Sequence, residues 1–154
     1  MGLYRQDKTK AFAGQIARVG ESLARATGEP NEGNVEVRAG HFVAIGAEYG
    51  CKAISSKEDI VLGVVVRDLL QGIYRKDETP SVGRIGHGDA LWVVAHGEFM
   101  RGDSVYILTK DGNANSGIFS GSAVNEAVED NTIATGYIVE QVGSGLVMIS
   151  RKEA

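Results

Sequence analysis

"RIGHGDALWVV", residues 84–94, sets a glycine and an aspartate directly before an unbroken apolar run. The same order recurs in "VRAGHFVAI" at 37–45 and in "FMRGDSVYI" at 99–107. Glycine reverses the chain because it takes positive φ without a steric penalty, and an Asp or His beside it caps backbone groups at the entry to a strand. A chain punctuated in this way folds as short strands joined by tight turns, the material of small β-barrels and sandwiches. Glycine usage agrees: 21 of 154 residues, beside 2 prolines, against an average near 7%. The echo is too short to be a sequence repeat.

The remaining text from residue 34 onward has the same character. "NVEVRAGHFVAIG" alternates and is rich in β-branched and aromatic residues. "DIVLGVVVRD" (59–68) and "ALWVVAHGEF" (90–99) are continuous apolar runs of strand length, predicting strands buried on both faces. Asp111-Gly112 lies between strand-like stretches and predicts a hairpin, and Gly143-Ser144-Gly145 predicts the turn of a closing one. Residues 120–131 have room for a short helical turn around Ala123 to Val128. The segment 68–83, "DLLQGIYRKDETPSVG", reads as the longest loop of the region. Its Leu69, Leu70, Ile73 and Tyr74 are tucked under the domain or form a contact surface.

The first 33 residues read differently. In "AFAGQIARVG", Phe12, Ile16, Val19 and Leu23 follow the stripe of an amphipathic helix, but Gly14 and Gly20 interrupt it. Each glycine costs a helix about 1 kcal/mol relative to Ala. The stretch is either a helix or an extended arm. Extended, about 33 residues reach up to roughly 100 Å and can add a strand to a sheet edge. The division expected is an arm at 1–33 and a β domain at 34–154. The fold class expected is mainly β, a small barrel or sandwich of short strands and hairpins with an extended N-terminal arm.

Composition narrows the function by exclusion. A chain of 154 residues suits one domain. No apolar run approaches the roughly 20 residues that span a bilayer, and "MGLYRQDKTK" shows no targeting signal, so no membrane partner is expected. A net charge of −4 argues against nucleic acid. Cys51 is the single cysteine and is expected to be a small buried apolar residue.

Chemistry-bearing motifs are equally sparse. His41, His87 and His96 lack the spacing of a zinc site. No serine sits in a G-x-S-x-G elbow, and "RIGHGD" opens a strand, not a helix, so it offers no phosphate cradle. Arg101-Gly102-Asp103 occupies the turn position of its unit, which accounts for the tripeptide. The acidic pairs Glu58-Asp59, Asp77-Glu78 and Glu129-Asp130 read as solvated loop ends. No enzyme, no metal and no cofactor is expected.

The order of segments carries more than any one motif. "AFAGQIA", then "IVLGVVVRD", then "HGDALWVVAHGEFMRGDSVYI" and finally "GLVMISRKE" together resemble the cement, or decoration, proteins of tailed-bacteriophage capsids. In that family the N-terminal stretch often reads close to "GQIAD", matched here at Gly14-Gln15-Ile16-Ala17, with Arg18 where an acidic residue is common. The turn followed by an aromatic strand matches at Gly102 to Tyr106. The basic Arg18 and Arg25 and the long 68–83 loop depart from the pattern. The resemblance implies a protein on the exterior of the virion capsid, present in the host cytoplasm during assembly. Its partners would be the major capsid protein and its own copies, as a trimer or in some relatives a dimer. Phe12, Gln15, Ile16, Val19 and Leu23 of the arm, with Ile73 and Tyr74 of the loop, are the residues expected to touch the capsid or a neighbour. A receptor- or glycan-binding module displayed on a virion is the alternative.

Overall fold

The chain is described by a computed structural model over residues 11–20, 26–111 and 117–152. Its local rule is a β-turn immediately before a strand. Turns Phe12–Gln15, Arg38–His41, Gly86–Asp89, Met100–Asp103 and Phe119–Ser122 each close with the fourth N–H donating to the first carbonyl. The third residue is Gly14, Gly40, Gly88, Gly102 or Gly121, with φ between 77° and 95°, the conformation a type II turn requires there. Asp77 and Asp130 fill the same place in Arg75–Glu78 and Val128–Asn131, at φ 70° and 67°. The fourth side chain often completes the turn by accepting the first residue's N–H. Gln15 Oε1 does so at 3.0 Å, Asp89 Oδ2 at 2.8 Å and Asp103 Oδ2 at 2.7 Å.

These turns feed thirteen short strands. They are β1 (Ile16–Arg18), β2 (Thr27–Gly28), β3 (Val37–Arg38), β4 (Phe42–Ile45), β5 (Cys51–Ala53), β6 (Val61–Val65), β7 (Ile73–Tyr74), β8 (Ser81–Gly83), β9 (Ala90–His96), β10 (Ser104–Leu108), β11 (Ala123–Val124), β12 (Thr132–Val142) and β13 (Leu146–Arg151). Strands β9, β11, β10, β12 and β13 hydrogen-bond in that order, and β13 returns to β9, so the sheet closes into a ring. β1 pairs with the start of β9, at Ala90 and Leu91, and β11 with its end, at Ala95 and His96. A second sheet runs β2-β8-β6-β4-β5, and β3 pairs with β7 as a small third one. The fold is all-β, with no helix among the described residues.

The main core lies between the ring and the second sheet. Phe42, Ala44, Ile54 and Val64 meet Leu91, Val93, Val105, Ile107, Val139, Val147 and Ile149 there. Val43 and Val65 point the other way, into a smaller cluster with Val37, Cys51, Tyr74 and Val82. Alternate residues of β4 and β6 are therefore buried on opposite faces, which is why 59–68 reads as a continuous apolar run. The three-residue turn Gly143-Ser144-Gly145 joins β12 to β13 as expected, with Gly145 at φ 70°.

Of the two readings of the N-terminal stretch, helix or extended arm, the extended one holds at Ile16–Arg18, which is strand; other expectations need correction. Gly14 makes a turn, and a Cβ on Gly20 would lie 2.4 Å from the His87 carbonyl oxygen, so both glycines serve close backbone packing. β10 ends at Leu108 and its antiparallel partner β11 begins at Ala123, so the two are not joined by a tight Asp111-Gly112 turn. Gly112 itself lies outside the described residues. The chain is returned by the Phe119–Ser122 turn, and Asp111 Oδ1 accepts the Ser120 N–H at 2.9 Å. Ala123–Val124 is strand, because it fills the gap between β9 and β10. The 68–83 segment contains β7 and β8 and is not an open loop.

Hydrogen bonds also cross residue 33. Gly14 N–H donates to Trp92 O at 2.8 Å and Trp92 N–H to Gln15 O at 2.9 Å. Asn31 is fully buried, its Nδ2 donating to Val35 O at 3.0 Å and Tyr74 O at 3.2 Å.

Candidate functional site

The residue types that carry catalysis are committed to structure. His41 is buried in its turn with Nδ1 3.2 Å from Ala39 O, and burial pushes its pKa down to about 4. His96, on β9, is likewise lowered by burial. Cys51 Sγ donates to Glu29 O at 3.3 Å, and burial raises its pKa to about 11, far from a nucleophilic thiolate. Among the described residues no group of three or more His, Cys, Asp or Glu is placed to hold a metal ion. Arg101-Gly102-Asp103 sits in the turn before β10, with the Asp103 carboxylate occupied by Met100 N–H.

What the surface does offer is exposed apolar side chains held in place. Leu69 and Leu70 are 84% and 95% exposed, and Ile73 is 48% exposed. The loop beneath them is locked. Asp68 Oδ1 accepts Leu70 N–H at 2.8 Å, Tyr74 OH donates to Gln71 O at 3.1 Å, and Gln71 Nε2 donates to Ile73 O at 3.0 Å and Glu78 Oε2 at 3.1 Å. Two exposed leucines on a hydrogen-bonded loop form a preorganised knob, the kind of apolar surface that a partner can cover.

The root of this knob meets the first turn of the chain. Arg67 N–H donates to Gly14 O at 2.8 Å, and the Arg67 guanidinium stands 4.3 Å over the Phe12 ring. Turns 12–15 and 38–41 abut as well, since a Cβ on Gly40 would lie 2.6 Å from that of Ala13. Two segments that read as separate in the sequence thus form one face.

The residues predicted to make contact divide on this face and away from it. Phe12, at 48% exposure, borders the knob with Ile73, and Val19 is exposed at 55%. Gln15 closes its own turn. Ile16 is half-buried and packs on the main core. Tyr74, expected at the surface, is buried at 3% exposure and supports the loop from beneath. Leu23 lies outside the described residues. Leu69 and Leu70 were visible in the sequence as apolar residues in a charged loop, but only the structure shows them outermost.

On another face Arg18 extends from β1 to β12. Its guanidinium donates to Glu140 Oε1 and Oε2 at 3.2 and 2.7 Å, and its Nε donates to Gly88 O at 2.7 Å. The hydrogen bond from Arg18 holds the Glu140 carboxyl below its ordinary range. Arg18 thus ties β1 to the ring.

No curated protein matches the sequence. Among solved structures, a chain of "The capsid of Myoviridae Phage XM1" shares the fold at a TM-score of 0.71 and 14% identity, covering 92% of this chain and 90% of that one. The family model described as XM1 gp53 minor capsid protein matches residues 4–151. With nearly its whole length under that model, the chain belongs to the XM1 gp53 minor capsid protein family, a family of structural capsid components and not of enzymes.

Proposed function

We propose that this protein is a cement protein, binding the outer surface of a bacteriophage capsid and bridging major capsid protein subunits to stabilise the shell. Family membership supports a place in a capsid. The observation that carries the finer reading is the locked Leu69–Leu70 knob, with Phe12 and Ile73 at its border. Burying one leucine yields about 1.5–3 kcal/mol, and a loop already ordered loses little entropy on docking. Copies joined as a trimer, or a dimer, would engage several shell subunits at once and gain avidity. The protein would assemble in the host cytoplasm and reside on the capsid exterior. A glycan-binding role is less favoured, because Tyr74, the loop's aromatic, is buried.

The test is cosedimentation of the full chain with expanded capsids lacking it. The Leu69→Ser, Leu70→Ser double variant should bind at least about a hundredfold more weakly, with its melting curve unchanged because both side chains are solvent-exposed. Undiminished capsid binding by that variant, or binding of the wild type to host cells and not to capsids, refutes the proposal.

A further inference from the structure

Beside the Arg18–Glu140 pair runs a groove of two contiguous open hollows, about 520 and 570 Å³, which share Arg18, Arg101 and Glu140. In a chain of net charge −4 this groove gathers cations. Arg18 is neutralised by Glu140. Arg101, Arg151 and Lys152 are exposed along it and form no salt bridge among the described residues. Val142 and Met148 add apolar surface. The ladder between β12 and β13 slips between Val139 and Gln141, so Glu140 sits at a bulge.

The other end of β12 carries the complementary chemistry. Glu126, Ala127, Val128 and Glu129 are all exposed. The turn that follows is rigid, with Thr132 Oγ1 bridging the N–H and C=O of Val128 at 3.1 Å each. Asp130 is engaged by Lys57, whereas Glu126 and Glu129 have no ion partner among the described residues. Carboxylates around a valine match the groove's cations, with Arg101 beside Val142 and Met148 in one hollow and Arg151 and Lys152 in the adjoining one. From Thr132 to Ile138 and Glu140, where the groove opens, β12 runs roughly 20–26 Å. A chain therefore cannot fill its own groove.

We propose that the groove receives the Glu126–Glu129 tip of a second copy of this chain. Docked reciprocally the contact closes a pair, and docked head to tail it closes a ring. The inference deepens the oligomeric part of the proposed function, but it stands apart from the Leu69–Leu70 contact with the shell.

Sedimentation equilibrium of the full chain in about 0.05 M and about 0.5 M salt tests it, since opposed charges at a rim are screened over a few ångströms at high salt. The wild type should self-associate, on the order of tenfold more weakly at the higher salt. Reversing the groove (Arg101→Glu with Arg151→Glu) or the tip (Glu126→Arg with Glu129→Arg) should each abolish association. Combining the two sets in one chain should restore it, which a merely misfolded variant would not do. Persistent association in either single-sided reversal overturns the proposal, as does failure of the combined variant to recover. A wild type that is monomeric at both salts overturns it too, and points to another protein's acidic segment or DNA as the occupant. None of these outcomes alters the capsid-binding test of the leucine knob.

Discussion

Stability should fall steeply in mild acid, and His41 is the reason. Its side chain is 7% exposed, its Nδ1 faces Ala39 O, and its Nε2 has no hydrogen-bond partner among the described residues. The imidazole and the Phe119 ring pack in a T-shaped pair, and the Arg38 guanidinium lies 3.8 Å over that same Phe119. Protonation would thus place a buried charge near Arg38 and His96, with no carboxylate among the groups acting on it. Burial is the larger cause of the depression, from 6.5 to about 4. Because the folded value is the lower one, the unfolded chain binds a proton that the folded chain refuses between these limits. The contribution is whole above pH 6.5 and disappears progressively as the pH falls to about 4. At about 1.4 kcal/mol per pH unit the full span is worth about 3 kcal/mol. Urea melts of the wild type and of His41→Gln, taken from neutral pH to about pH 5, should diverge in slope, with the variant flatter. Glu140 and Asp59 are held below their ordinary values, so their losses come at lower pH and do not overlap much of this window. Identical pH slopes for wild type and variant would refute the reasoning.

Two further outcomes follow from backbone geometry and burial. Gly14→Ala should be far more damaging than Gly102→Ala, although φ is positive at both, at 79° and 95°. A Cβ at 14 would lie 2.7 Å from Arg67 N and from Val65 O, whereas one at 102 meets nothing within 4 Å. Thermal melts should show about 1–2 kcal/mol lost at 102, the cost of the left-handed backbone alone, and a clearly larger loss at 14. Cys51, buried with its pKa pushed up to about 11, should react with a thiol reagent at neutral pH only after unfolding. Rapid labelling of the native protein would contradict its place in the core.

The β class was legible because turn chemistry is local. Gly40, Gly88 and Gly102 each force the same reversal whatever surrounds them, and the strands after them announce themselves by β-branched residues. Gly14 belongs to the same set, yet it was masked by the four- and three-residue spacing of Phe12, Ile16 and Val19. That spacing arises from a turn and a strand laid end to end, which periodicity alone does not separate from a helix. Strands β7 and β11 were missed for a different reason. Each has two residues and exists only because a distant strand pairs with it, β3 for β7 and both β9 and β10 for β11. The site was legible as composition but not as shape. Leu69, Leu70 and Tyr74 are all apolar in one loop, and only packing decides that the tyrosine goes in and the leucines stay out.

Removing residues 1–20 gives the sharpest test of how the first segment serves the rest. The sequence suggests an arm that can be cut away, whereas the described contacts tie it to the domain. Truncation would take β1 off β9, where Ile16 pairs with Leu91 and Arg18 with Ala90. It would leave Trp92 and Arg67 without the backbone partners they have in Gln15, Gly14 and their neighbours. It would also uncover the patch of core that Ile16 touches. Each backbone hydrogen bond contributes about 1 kcal/mol net, and half-burying an isoleucine about as much. Ordering the segment costs chain entropy, but its docking in the native fold means that its contacts outweigh that cost, so truncation should lower stability without collapse. The ring remains closed through β9, β11, β10, β12 and β13, none of which the cut removes. The truncated chain should therefore keep a β-rich circular dichroism spectrum and melt cooperatively at a lower temperature. Its capsid binding should weaken as well, because Arg67 at the root of the knob loses both the Gly14 carbonyl and the Phe12 ring. An unchanged melting point would mean that the arm is separable and its pairing with β9 contributes nothing in solution. Loss of all cooperative structure would mean that β1 is indispensable to the core.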